Sequence, residues 1–229
     1  MDRLNGVAEL LDGPLDDPAA LHGNLRDLAR INRLTGGTRL SVRAIAALGD
    51  MTTLLDVGTG AADIPMTLLA RARAARRPLS ITATDSRPEI LAAARRARPA
   101  IDRTAGLELA VADGRGLAYP DRAFDVAHAS LVLHHLAPDE VVRFLRELRR
   151  VARRGIVVND LIRGRHFWLG GWLIVHAIAT SGYTRHDGPL SVRRAYSRTE
   201  LRAMLAIAGL TPVAEFAGLA GHRVSIAAR

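Results

Sequence analysis

Leu54-Leu55-Asp56-Val57-Gly58-Thr59-Gly60-Ala61-Ala62-Asp63-Ile64-Pro65 reads as a buried strand, a glycine turn and the start of a helix. In a parallel α/β sheet that combination holds a nucleotide-like ligand at the carboxyl end of the strand. The acidic residues narrow the choice of ligand. A turn that binds pyrophosphate needs donors and no neighbouring anion, because its ligand is itself negative. Here Asp56 stands two residues before the first glycine, and Asp63 takes the sixth position of G-x-G-x-x-G, where a small residue is expected. Such a turn suits a ligand with an amino group and a sulfonium.

Outward from the turn, strands and helices alternate. Residues 53–57 predict strand one, and the helix after it carries Met66, Leu68 and Leu69. The alternating, β-branched run 79–84 predicts strand two, ending at Asp85. Ser86 and Glu89 then form a capping-box pattern with Pro88 in the first turn of a helix. Strands three, four and five fall at 107–112, 124–129 and 155–158. Between the last two, Asp139 opens an amphipathic helix with Val142, Leu145, Leu148 and Val151 inward, closing near Gly155. After Asn159-Asp160 the alternation stops, and an insertion runs to about Tyr196. A second capping box, Ser197 and Glu200, starts the helix 201–208, and residues 211–216 and 222–227 predict a hairpin. Upstream, 24–31 places Leu25, Leu28 and Ile31 on one helical face, Thr35-Gly36-Gly37 breaks it, and Ser41 starts a second helix. The pattern predicts a Rossmann-like, doubly wound α/β sheet of seven strands with a C-terminal antiparallel hairpin.

Three acids mark three strand ends in order: Asp56, then Asp85, then Asp113. At the end of strand two a carboxylate can accept both hydroxyls of a ribose, and at the end of strand three it can accept from an adenine amino group. Residues from about 50 to 160 resemble the class I S-adenosylmethionine (SAM) methyltransferases, of the small-molecule kind related to the ubiquinone and menaquinone biosynthesis enzymes. Val111-Ala112-Asp113-Gly114, Leu117-Ala118-Tyr119-Pro120-Asp121, Phe124-Asp125-Val126 and Leu131-Val132-Leu133-His134-His135-Leu136 carry the likeness beyond the glycine turn. The resemblance implies a SAM site formed by Asp56, Gly58, Thr59, Gly60, Asp85, Ser86, Asp113, Gly114 and Ser130, with S-adenosylhomocysteine as product. In it Asp85 binds the ribose and Asp113 the adenine. Ala62 departs from the pattern, since many members have a third glycine there. The resemblance also implies a single domain over 1–229, with a helical lid at 1–50, a SAM-binding core at 51–160, a substrate cap at 161–196 and a closing helix and hairpin at 197–229.

Composition excludes several chemistries. The 229 residues include no cysteine, so disulfides, zinc–thiolate sites and thiol nucleophiles are absent. They include no lysine either, which removes Schiff-base chemistry and the phosphate-binding lysine of P-loops. The formal charge of +9 is carried wholly by arginines scattered over several helices, and only four phenylalanines accompany them. That reads as a solvated basic surface, without the aromatic interleaving of a nucleic-acid binder. The first residues carry charge at Asp2 and Arg3 and no apolar signal core, which predicts a cytoplasmic protein.

Methyl transfer asks the protein for alignment and exclusion of water, and no metal is expected. A hydroxyl acceptor adds the need for a base. His134 and His135 follow strand four beside the expected methyl site, where at most one can face the pocket. His186 is the third candidate base: it precedes Asp187 and a predicted Gly188-Pro189 turn in the insertion that should cover the substrate. The apolar run 167–179, with both tryptophans of the chain, is too short to span a bilayer. It fits a buried or dimer-forming helix, a wall of an apolar substrate pocket, or a membrane-surface contact.

The sequence therefore predicts O-methylation of a small, apolar phenolic or quinol-type secondary metabolite, with a homodimer and peripheral membrane contact as further partners and no nucleic acid. The competing readings are C-methylation of a quinone ring and a non-catalytic scaffold on the same fold.

Overall fold

A computed structural model describes residues 1–15 and 17–229. Strands β1 (Thr53–Val57), β2 (Ser80–Asp85), β3 (Leu107–Val111), β4 (Phe124–Ser130), β5 (Ala152–Leu161), β6 (Pro212–Ala217) and β7 (Arg223–Ala228) form one sheet in the order β3-β2-β1-β4-β5-β7-β6. The first five run parallel, and β7 runs antiparallel between β5 and β6. Central strands are buried on both faces, so even their polar residues, Asp56 on β1 and His128 on β4, lie out of solvent.

Side-chain alternation divides the core. Leu55, Val57, Ala127, Ala129, Ile156 and Val158 pack on α5 (Pro138–Val151) and α8 (Arg198–Ile207). Leu54, Ile81, Ala83, Val126 and Val157 face α2 (Gly37–Ala46) and α3 (Asp63–Ala74) on the other side. Helix α1 (Pro18–Leu34), capped by Asp17, packs against α4 (Pro88–Ala97) through Leu21, Leu25, Ala93 and Ala94.

Several local expectations need correction. Helix α5 ends at Val151 and passes straight into β5, so Gly155 lies within a strand instead of closing a helix. Its φ of +149° belongs to a bulged stretch, and a Cβ there would meet the Ala228 carbonyl oxygen at 2.5 Å. The Ser86–Glu89 box does not form: Arg87 is the N-cap, and its amide donates to the Asp85 carboxylate. The Ser197–Glu200 box does form. Helices α6 (Arg165–Ile178) and α7 (Gly182–Arg194) make up the insertion. Gly188-Pro189 sits inside α7, because the Asp187 carboxylate is drawn away to the Leu10 and Leu11 amides (2.9 and 3.2 Å) and does not make a turn.

Candidate functional site

A cavity of about 530 Å³ opens at the carboxyl ends of β1, β2 and β4. All nine residues expected around a cofactor line it: Asp56, Gly58, Thr59, Gly60, Asp85, Ser86, Asp113, Gly114 and Ser130. The turn after β1 is held to the sheet by the Thr59 amide, which donates to the Thr84 carbonyl at 2.8 Å. At Gly60 (φ +51°) a Cβ would meet only Leu25, at 4.0 Å, so the backbone there faces open space. Ala62 sits at φ +52°, a left-handed position that explains why glycine is common at its place in the motif. The buried Thr59 hydroxyl has no partner, an unmet polar group in the cavity wall.

Among the described residues five aspartates line the cavity, and Asp56, Asp63 and Asp85 stand around its glycine turn. Asp85 accepts from the amides of Gly60 and Arg87, both at 3.2 Å, while burial pushes its carboxyl above the usual range. Burial also raises Asp63, although Asn32 Nδ2 donates to it at 2.8 Å. Asp56 pairs with His128 Nδ1 at 2.5 Å, and His128 Nε2 meets the Ser41 hydroxyl at 2.8 Å. Asn159 Nδ2 donates to Ser41 at 2.7 Å, so the network assigns the serine proton to Nε2 and the imidazole proton to the Asp56 side. Asp113 differs. Arg115 engages both its oxygens and holds the half-exposed carboxyl below its ordinary value, so an adenine amino group would share it with that guanidinium.

Behind the cavity lies a cation that sequence reasoning missed. Arg223 on β7 is 2% exposed and donates to Asn159 Oδ1 (2.6 Å), Asn32 Oδ1 (2.8 Å) and Ser130 Oγ (2.8 Å). Burial pushes the guanidinium down to about 10, while the charges of Asp160 and Asp63 pull it back up. It therefore ties Asn32 of α1 to the end of β4, and both residues line the cavity.

The three candidate histidines part company. His134 is buried, its Nδ1 2.7 Å from Asp160, and it does not line the cavity. His135 does line it, with Nδ1 held 2.8 Å from Asp12. His186 pairs with Asp187 at 2.8 Å as its sequence neighbour suggests, but its ring is on the surface of α7, outside the cavity. Glu9 is not among the expected site residues, and it arrives beside the His-His pair from the N-terminal segment. Each Nε2, of His134 and of His135, lies 3.8 Å from a Glu9 oxygen, and burial raises Glu9 to about 7. These three residues bring ligand atoms within 4.8 Å of one another, a set that could hold a metal ion. Arg194 already stands there as a cation, 3.6 Å from Glu9 and 2.5 Å from Asp12.

The arginines are also less scattered than the sequence suggests. Arg26, Arg30, Arg33, Arg39 and Arg71, from three helices, and Arg98 at the C-cap of α4 line a second, open groove that meets the first cavity at Leu25, Ala61 and Asp63.

Residues 55–158 match a family described as a methyltransferase domain. No curated protein matches the chain. A SAM-dependent methyltransferase from Aquifex aeolicus superimposes with a TM-score of 0.60 at 21% identity, over 93% of this chain and 97% of that one. Human N-acetylserotonin methyltransferase, solved in complex with SAM, gives 0.68 at 15% identity, over 96% of this chain and 60% of that one. The [4+2]-cyclase SpnF gives 0.56 at 22% identity, over 85% and 61%. These likenesses show the fold, and the cyclase among them is a reminder that fold does not set reaction.

Proposed function

We propose that this SAM-dependent methyltransferase domain, whose cofactor is SAM, transfers the methyl group to a hydroxyl of a small, apolar phenolic or quinol-type molecule, with His135 as the base. The single observation that carries the reading is the placement of His135: of the three candidate imidazoles it alone lines the cofactor cavity, and Asp12 fixes its ring.

The residues present suit the cofactor. The unpartnered Thr59 hydroxyl, the open backbone at Gly60 and the carboxylates of Asp56, Asp63 and Asp85 provide polar partners and negative charge for a cationic nucleoside. Asp85 is the ribose acceptor in this reading and Asp113 the adenine acceptor. When bound, the cofactor supplies a methyl group already activated on a sulfonium.

What the chain adds is proton management and shape. Burial pulls Asp12 upward, but the hydrogen bonds from His135 and Arg194 outweigh it and hold the carboxyl far below its ordinary range. An ionised Asp12 orients His135 with its Nδ1–H toward the carboxylate, so that Nε2, which lies 3.8 Å from Glu9, is the nitrogen to accept a phenolic proton, and Asp12 stabilises the imidazolium that results. Leu11, Leu131, Val132 and Leu136 line the cavity with His135, an apolar surround suited to an aromatic acceptor and to excluding water.

The test is turnover of the wild type and His135→Ala on matched phenols and quinones, with SAM affinity measured in parallel. The expected result is O-methylated product, with kcat about 100-fold lower in His135→Ala and cofactor affinity unchanged. Methylation at a ring carbon, or full turnover without His135, would sink the reading.

A further inference from the structure

Helix α6 is built against the usual rule for a surface helix. Of its 14 residues only Val175 is buried. Trp168, Leu169, Trp172, Leu173 and Ile174 are 37–55% exposed. Residues 168, 169, 172, 173 and 176 recur at three- and four-residue spacing, so they form one continuous stripe. Neither a buried core helix nor a pocket wall describes it, because no residue of α6 lines the cofactor cavity. An apolar stripe of this kind marks a contact surface.

The charges around the stripe indicate what it contacts. Helix α6 packs against α7 and α1. The acids within these three helices, Asp27 and Asp187, are both buried and spent on amides: Asp27 accepts from Thr180 and Ser181, Asp187 from Leu10 and Leu11. What α6 and α7 expose is cationic, namely Arg165 on α6 and Arg185 and Arg193 on α7. A two-fold contact between copies of this face would set one arginine rim against another.

We propose that α6 is an interfacial helix that seats the protein on an anionic lipid bilayer. Its stripe enters the boundary between headgroups and acyl chains, its two tryptophans sit at headgroup level, and the arginines of α6 and α7 meet anionic headgroups. At about 21 Å the helix is shorter than the hydrocarbon core and lies in the membrane plane. Among the described residues no helix is long and apolar enough to cross a membrane. The inference is independent of the acceptor assigned above.

The chain contains its own reporter, because Trp168 and Trp172 are its only tryptophans. The full-length protein is titrated with vesicles of phosphatidylcholine alone and of phosphatidylcholine with phosphatidylglycerol, reading tryptophan emission and co-sedimentation. The expected result is a blue shift and sedimentation with the anionic vesicles, both weakened by salt. The double substitution Leu169→Asp with Leu173→Asp should cut partitioning about tenfold or more. S-adenosylhomocysteine binding by that variant, measured calorimetrically, should be unchanged and reports that it is folded. No shift with anionic vesicles, or equal partitioning onto neutral ones, overturns the proposal. So does a blue shift without lipid that grows with protein concentration, since the stripe would then be meeting a second copy.

Discussion

Glu9 shows how one buried carboxyl can set a pH response. Desolvation raises it to about 7 from an ordinary 4.5, outweighing the pull of His135, Ser191 and Arg194. The folded state therefore holds a proton that the unfolded chain releases first. The stabilisation is fully present below about 4.5 and is lost as pH climbs through about 7. Urea midpoints measured across that window should fall with rising pH in the wild type, whereas Glu9→Gln, neutral throughout, should lack that component. Equal slopes for the two proteins would mean that Glu9 titrates alike in the folded and the unfolded chain. Because the same carboxyl faces both Nε2 atoms of the His-His pair, its protonation also changes the field at the proposed base.

Helix α5 shows what an element owes to its pattern. Val141, Phe144, Leu145, Leu148 and Val151 form one buried face against β4, β5 and α8, and its exposed side is charged. Leu148 has no exposed surface, so Leu148→Ala should cost about 2–5 kcal/mol, read from the denaturant midpoint. A cost under 1 kcal/mol would show that α8 collapses into the gap. Elements of this kind are legible in sequence because their signal is local: period 3.6 in α5, apolar runs in β1 and β4, and Ser197 three residues before Glu200. The Ser86–Glu89 pattern misleads because the helix starts one residue later, at an Arg87 N-cap whose amide is held by Asp85, which puts Glu89 out of the box position. At the site, the acids at the strand ends are legible for the same local reason. The rest is not, because it is assembled across the chain. His135 meets Asp12 over a separation of 123 residues, and Asn32 meets Arg223 over 191. His186 next to Asp187 is a true pair, but adjacency in sequence says nothing of which way the pair faces.

At the scale of the whole molecule, Arg223 joins parts that no single core cluster spans: α1 through Asn32, β4 through Ser130 and β5 through Asn159. A lysine cannot present three donors in the same planar fork. Arg223→Lys should lower stability by about 2–3 kcal/mol and weaken SAM binding, with calorimetry and urea unfolding as the paired measurements. Unchanged SAM affinity would mean that Asn32 of α1 keeps its place without this tie.

Strand β7, which carries Arg223, comes last of the seven strands in sequence yet lies inside the sheet, with all six of its residues buried. During synthesis the five parallel strands leave the ribosome with the flank of β5 bare. The network behind the cavity then lacks its cation, and β6 has no neighbour to join it to the sheet. The nascent chain therefore exposes an open apolar edge until residue 228 has emerged, a vulnerable interval in which chaperone protection matters most.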